Sequence, residues 1–114
     1  MGLDIILEAC ETKIFYENEG YFNLETEDEI PFNERCQMRT IESVKNDYEL
    51  LDELSFVVNR AYKEIDNCRY TILEQAELEQ LTHKNISEEG LEAIKKVLEK
   101  VDFEKETVTV YPWW

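Results

Sequence analysis

Seven carboxylates fall within residues 17–34, and the same stretch contains no Lys, Arg or His. Carboxylates at this density suit three kinds of chemistry: proton transfer between paired acids, coordination of a hard cation, or attraction to a positively charged partner. The stretch also contains large apolar and aromatic side chains: Tyr21, Phe22, Leu24 and Phe32. Each kind of chemistry requires a particular spacing of residues. The spacing in this sequence fits attraction to a positively charged partner better than metal binding or catalysis.

The densest acidic run, ETEDE at residues 25–29, lacks the frame of a calcium loop. An EF-hand needs alternating oxygen ligands, a central Gly for the sharp turn and a distal bidentate Glu. This run has neither the Gly nor the frame. The three Cys residues and the single His83 also lack the local spacing of a zinc site. We therefore expect no dedicated metal site and no cofactor.

Catalysis is poorly supported by the sequence. His83 lies in the polar stretch LTHKN, which indicates a surface position between two helices. There is no nucleophile elbow, P-loop or HExxH motif. The three Gly residues leave little material for a loop that cradles a phosphate. We therefore expect a non-enzymatic protein, and an enzyme that uses the clustered carboxylates is the second alternative.

The charge of the chain favours the third kind of chemistry. There are 27 acidic residues against 12 basic ones, which gives a formal charge of −15. Residues 1–34 contain ten acids and one base, Lys13, so this third of the chain carries a local −9. Such charge opposes direct binding to nucleic acids and anionic membranes, which are themselves polyanions. It favours a basic protein partner, such as a nuclease or another nucleic-acid-binding protein of a host cell.

Carboxylates on a rigid scaffold can imitate a phosphate backbone, while aromatic side chains provide interface anchors. This predicts a DNA-mimic inhibitor of host nucleic-acid machinery, resembling anti-CRISPR or anti-restriction proteins in its mode of action. The predicted contact residues are Glu17, Glu19, Tyr21, Phe22, Glu25, Glu27, Asp28, Glu29 and Glu34. The first alternative is an accessory or structural domain of unknown role whose acidity serves only solubility. The sequence leaves the oligomeric state open.

The cysteines and the N-terminus indicate a cytoplasmic protein. Cys10, Cys36 and Cys68 are widely spaced and odd in number, so they make a poor disulfide framework and are expected to be reduced and mostly buried. The N-terminus lacks the basic region of a signal peptide. No apolar run is long enough to span a membrane.

Short strands are expected at both ends of the chain. Residues 3–9 alternate in polarity, residues 12–17 are rich in β-forming side chains, and residues 21–24 fit a short extra strand. The Val/Thr-rich C-terminal strand is expected to stop at Pro112. At least one of Trp113 and Trp114 should pack on the domain, since two exposed indoles are costly in water.

Helices are expected between these ends. The apolar spacing predicts an amphipathic helix over residues 47–66, and residues 40–46 either extend it or form a separate turn with Ile41 and Val44 buried. A strand at 69–73 and a helix at 74–81 follow, with Leu78 and Leu81 inward. Ser87 should cap a last helix that ends near Val101. These elements predict one α+β domain over residues 1–114, with a small, mostly antiparallel sheet and about three helices on one face.

The two ends of the chain resemble a known group of proteins. The chain opens Met-Gly-Leu-Asp before an apolar strand, and its last helix leads to Asp102-Phe103 and then to Tyr111 and Trp114 at Tyr-x-x-Trp spacing. These features are similar to small uncharacterised phage and prophage proteins that open Met-Gly-Leu-Asp-Met-Tyr-Leu. Here two Ile residues replace the Met-Tyr pair, and the Trp-rich middle helix of that group is absent. The resemblance implies a phage or mobile-element origin and terminal strands paired in one sheet. With that origin, the first alternative becomes a phage accessory or structural domain.

Overall fold

The computed structural model describes residues 2–12 and 39–114. Within these ranges the chain forms four strands and three helices in the order β1 (Asp4–Glu11), β2 (Arg39–Lys45), α1 (Tyr48–Asn59), β3 (Thr71–Leu73), α2 (Gln75–Leu81), α3 (Glu88–Lys100) and β4 (Glu106–Trp113).

The strands form one antiparallel sheet in the order β2-β1-β4-β3. Strand β1 pairs with β4 along its full length, from Asp4 opposite Trp113 to Glu11 opposite Glu106. The expected pairing of the terminal strands is therefore confirmed. The expected α+β class is confirmed as well, with an antiparallel sheet and three helices in the described ranges.

One face of the sheet and all three helices bury a single apolar cluster. Alternate residues of β1 point into it, and their partners on β4 lie on the same face, as in the pair Leu7 and Val110. The helices contribute their apolar stripes. The cluster consists of Leu3, Ile5, Leu7, Ala9, Val44, Leu50, Leu54, Val57, Val58, Leu73, Leu78, Leu81, Ala93, Ile94, Val97, Val101, Val108 and Val110.

Residues 40–46 do not extend a helix or form a turn as expected. Residues 40–45 belong to strand β2, which pairs antiparallel with β1 and places Val44 opposite Ile5 in the core. β-Branched side chains in this segment favour the pleated surface of a sheet. The strand ends at Lys45. The next residue, Asn46, turns the chain with a φ of 56°, and its amide donates to the Leu3 carbonyl at 2.6 Å.

The predicted helix over residues 47–66 is confirmed in its first part but was predicted too long. Helix α1 ends at Asn59 because Tyr62 adopts a left-handed φ of 60°. The amides of Tyr62 and Lys63 bond back to the carbonyls of Asn59 and Val58, which is the pattern of a Schellman motif. Tyr62 itself is fully exposed rather than part of the apolar stripe.

The later elements agree with the sequence in type. The strand predicted at residues 69–73 is shorter in the structure, where β3 begins at Thr71. Helix α2 buries Leu78 and Leu81 completely, as predicted. Ser87 caps α3 as predicted, with its hydroxyl oxygen accepting from the Gly90 amide at 3.0 Å.

Strand β4 runs through Pro112 instead of stopping there. The Pro112 carbonyl accepts from the Cys68 amide at 2.8 Å, so Pro112 directs its backbone polar groups to the β3 side of β4. Strand β3 pairs no further along β4 than Thr71 opposite Val110, and the missing N–H therefore breaks no ladder bond. Trp113 and Trp114 remain 58% and 46% exposed, so each is partly covered and neither belongs to the buried core.

Candidate protein-binding site

The contact residues predicted from the sequence lie outside the residues that the structure describes. So do the predicted strand at 21–24 and all of the strand at 12–17 except Thr12. This concerns the full predicted set, namely Glu17, Glu19, Tyr21, Phe22, Glu25, Glu27, Asp28, Glu29 and Glu34. Their role as a binding surface remains a prediction.

Within the described residues, helices α1 and α3 begin side by side. Asp47 is the N-cap of α1, and its Oδ1 accepts from the Leu50 amide at 3.0 Å. Its Oδ2 accepts a hydrogen bond from the Ser87 hydroxyl, which in turn accepts from the Gly90 amide. One carboxylate and one hydroxyl thus cap both helices and join them.

Gly90 lies where the two helix starts meet, and a side chain at this position would crowd the shared cap. A Cβ at this position would lie 2.9 Å from Asp47 Oδ2, 3.1 Å from Ser87 Oγ and 3.5 Å from Leu50 Cβ. Carbon and oxygen do not approach at 2.9 Å without a shift. The absence of a side chain lets α3 approach α1 closely, which compensates for the low helix propensity of glycine.

This contact brings the carboxylates of two first turns to one end of the molecule. Glu49 lies in the first turn of α1, and Glu88 and Glu89 lie in the first turn of α3. Helical side chains lean toward the N-terminus, so those one turn further along extend the same surface. We call this surface the acidic junction: Glu49, Glu53, Glu88, Glu89 and Glu92.

The acidic junction is accessible. Four of its five residues are exposed, and Glu53 is half-buried. The described ion pairs join Arg39 to Glu106, Lys63 to Glu77 and Lys96 to Glu42, and none of them involves the junction. Part of the charge compensates the positive ends of the helix dipoles. The remainder faces solvent, where a basic partner can reach it.

The opposite face of the sheet carries a buried carboxyl. Glu8 is 8% exposed, and its burial raises the pKa of the carboxyl above its ordinary value. Its cross-strand neighbours are Thr109 on β4 and Thr40 on β2. Thr109 is completely buried, and its hydroxyl has no hydrogen-bond partner among the described residues. Within the described residues, the groups directly across the strands from Glu8 are thus threonines rather than a second acid.

Two further ion pairs have structural roles. Lys63 Nζ lies 2.6 Å from Glu77 Oε1 and 2.8 Å from the Ile72 carbonyl, which ties the segment after α1 to β3 and α2. Arg39 donates to Glu106, and this bond raises the pKa of the Arg39 guanidinium and lowers that of the Glu106 carboxyl. The second pair connects the start of β2 to the start of β4.

The described residues offer little space for a small molecule at the sheet edge. A cleft of about 190 Å³ lies there, lined in part by Glu74, Phe103 and Glu106. Ligand pockets are usually several hundred Å³ and mostly enclosed. No group of three or more His, Cys, Asp or Glu within residues 2–12 and 39–114 is placed to hold a metal ion.

The remaining sequence predictions have mixed outcomes. His83 is exposed, as expected. Cys10 is buried and Cys68 is exposed, so the expectation of mostly buried cysteines is wrong for Cys68. Cys36 lies outside the described residues. None of the helices in the described part of the chain has the length and apolar content that crossing a bilayer requires.

Comparison of the chain with protein-family models, with curated protein sequences and with solved structures found no match. Its function must therefore be inferred from its own residues. The sequence predicted the Ser87 cap of α3 but not the Asp47 cap of α1. It did not show that the two helix starts touch, because Asp47 and Ser87 are 40 positions apart.

Proposed function

We propose that this chain is a phage-type, non-enzymatic inhibitor that binds the basic nucleic-acid-binding surface of a host protein. The acidic junction is the observation that carries the proposal. Its carboxylates stand on two helix ends that are fixed to each other by the Asp47–Ser87 bond. A rigid array of negative charge attracts a basic channel by the same electrostatics that attract a phosphate backbone.

The net charge of the chain strengthens this attraction at long range. A formal −15 steers a small protein toward positively charged clefts and raises the association rate, an effect that salt weakens. The predicted contact stretch at residues 17–34 adds seven carboxylates to the same molecule. Binding should therefore depend strongly on ionic strength and compete with DNA or RNA.

The first experiment identifies the partner and its mode of binding. The immobilised protein is exposed to bacterial lysate at low salt and eluted with increasing salt, and the eluted proteins are identified by mass spectrometry. We expect a basic DNA- or RNA-binding protein that leaves at moderate salt. Double-stranded DNA or RNA added in excess should displace it. Capture of no such protein would show that the acidity serves only solubility.

The second experiment locates the contact with matched charge changes. One variant replaces Glu49, Glu88, Glu89 and Glu92 with Gln. The control variant replaces four other exposed acids by Gln and so has the same net charge: Glu64, Glu79, Glu99 and Glu104. Loss of binding in the first variant alone supports the acidic junction, whereas equal loss in both shows that only the net charge matters.

A third variant tests the stretch predicted from the sequence. It replaces Glu25, Glu27, Asp28 and Glu29 with Gln or Asn and changes the net charge by the same amount. If its fold is retained, as judged by circular dichroism, and its binding is unchanged, this stretch does not contact the partner. A loss greater than that of the matched control places the stretch in the interface.

A further inference from the structure

Two cations converge on one exposed aromatic ring at the end of α1. The Arg60 guanidinium carbon lies 5.0 Å from the centroid of the Phe56 ring, and Lys84 Nζ lies 4.9 Å from it. Phe56 is 50% exposed. Neither cation forms an ion pair with any residue in the described ranges. Unpaired neighbouring cations are unexpected in a chain with 27 acids and 12 bases.

The same helix face carries opposite charge at its other end. Tyr48, Asp52 and Phe56 are spaced by four and therefore lie in one row along the outward side of α1. Tyr48 is 56% exposed, and Asp52 is exposed as well. Glu49 adds a second carboxylate beside this row. The outward face is thus acidic in its first half, basic at its end, and aromatic in both halves.

We propose that this face of α1 is the contact between two copies of the chain, related by a two-fold axis that passes between Asp52 and Phe56. In such an antiparallel pair Asp52 of each copy lies opposite Phe56 of the other, beside Arg60 and Lys84. Tyr48 lies opposite Arg60 of the other copy, where its ring can receive the guanidinium. Each surface patch meets itself, as an isologous contact requires.

The distribution of charge favours a second copy over a partner of a single sign. An acidic partner would leave Asp52 and Glu49 facing like charge, and a basic partner would do the same to Arg60 and Lys84. Both halves of the face are matched only by a surface whose charges run in the opposite direction, with cations opposite Asp52 and Glu49 and with carboxylates opposite Arg60 and Lys84. An antiparallel copy of α1 has this order of charges. The whole-molecule charge of −15 opposes association, so the dimer should be weak and should gain from salt that screens long-range repulsion.

Sedimentation equilibrium of the purified chain, from low-micromolar to near-millimolar loading, tests the contact. We expect a reversible monomer–dimer equilibrium in the wild-type protein. Phe56→Ala should weaken it by about tenfold or more, as for an anchor residue at an interface centre. Trp114→Ala is the matched control, because it removes an exposed aromatic side chain that follows β4 and does not belong to α1, and it should leave the association unchanged. A wild-type protein that is monomeric throughout this range overturns the proposal.

A charge exchange tests the antiparallel order independently of Phe56. Asp52→Arg and Arg60→Glu should each weaken self-association, because each places like charges opposite one another. An equimolar mixture of the two variants should associate more tightly than either alone, since each supplies the sign that the other lacks. A mixture no tighter than the separate variants contradicts the two-fold arrangement. Circular dichroism of each variant verifies the fold, and no binding partner is present in these measurements.

Discussion

Removal of the Asp47 carboxylate should destabilise the protein more than the loss of one helix cap. Asp47→Ala removes the acceptor for the Leu50 amide and the acceptor for the Ser87 hydroxyl. The first loss costs about 1 kcal/mol, as for a typical N-cap. The second is a hydrogen bond to a charged group and adds about 1.5 kcal/mol. The expected loss in free energy of unfolding is therefore about 2.5 kcal/mol.

Ser87→Ala should cost a similar amount, because it removes the cap of α3 and the same shared bond. The double variant then loses two caps but the shared bond only once, which gives about 3.5 kcal/mol. The difference between the sum of the single variants and the double variant is about 1.5 kcal/mol, and this coupling measures the Asp47–Ser87 bond.

Urea unfolding at pH 7, followed by far-UV circular dichroism, measures these values. With the slopes usual for small proteins, Asp47→Ala should lower the midpoint by about 1–2 M. Asp52→Ala is the control, because Asp52 is an exposed acid on the same helix that caps nothing, and such changes stay within about 0.5 kcal/mol. Additive single variants, or an Asp47→Ala variant as stable as Asp52→Ala, would refute the shared cap.

Three further changes give distinct expectations. Lys63→Met should destabilise the protein by about 3 kcal/mol because it leaves the buried Glu77 carboxylate unpaired, and adding Glu77→Gln, which keeps the cap of α2, should recover part of this loss in urea unfolding. Glu8→Gln should raise stability at neutral pH. Burial raises the pKa of the Glu8 carboxyl in the folded state. As pH rises, this carboxyl therefore ionises at lower pH in the unfolded chain than in the folded one, and the free energy of unfolding falls. The advantage of Glu8→Gln should disappear in acid below the ordinary carboxyl pKa, and an advantage that persists there would contradict this cause. Tyr62→Gly should raise the midpoint of urea unfolding, because it relieves a left-handed backbone at a fully exposed side chain; a lower midpoint would mean that Tyr62 has a packing role.

The local elements of this protein could be predicted where the apolar pattern is regular. The stripe of α3 and its cap at Ser87 depend on side chains only three or four positions apart, so they are visible in the sequence. Residues 39–45 were misjudged for the opposite reason. Their strand depends on pairing with β1, and Ile41 and Val44 are compatible with either element until that partner is known.

The end of α1 shows the same limit at a single residue. Leu51, Ala61, Tyr62 and Ile65 continue the helical spacing, so the sequence predicts a longer helix than the structure contains. The chain turns instead, and Lys63 reaches Glu77 and the Ile72 carbonyl. This buried ion pair lies between segments that are distant in sequence, and the helical pattern contains no signal of it.

The sequence by itself determined the acidity of the chain, the α+β class and the type of most described elements, because composition and short-range periodicity are local properties. Only the tertiary structure placed the starts of α1 and α3 in contact, gathered Glu49, Glu88 and Glu89 at one end, and brought Lys84 beside Phe56. Those arrangements depend on the approach of backbones that are 28 to 40 positions apart in the chain. The close approach at Gly90 and the packing of the shared core set them, and neither is encoded in any short stretch of residues.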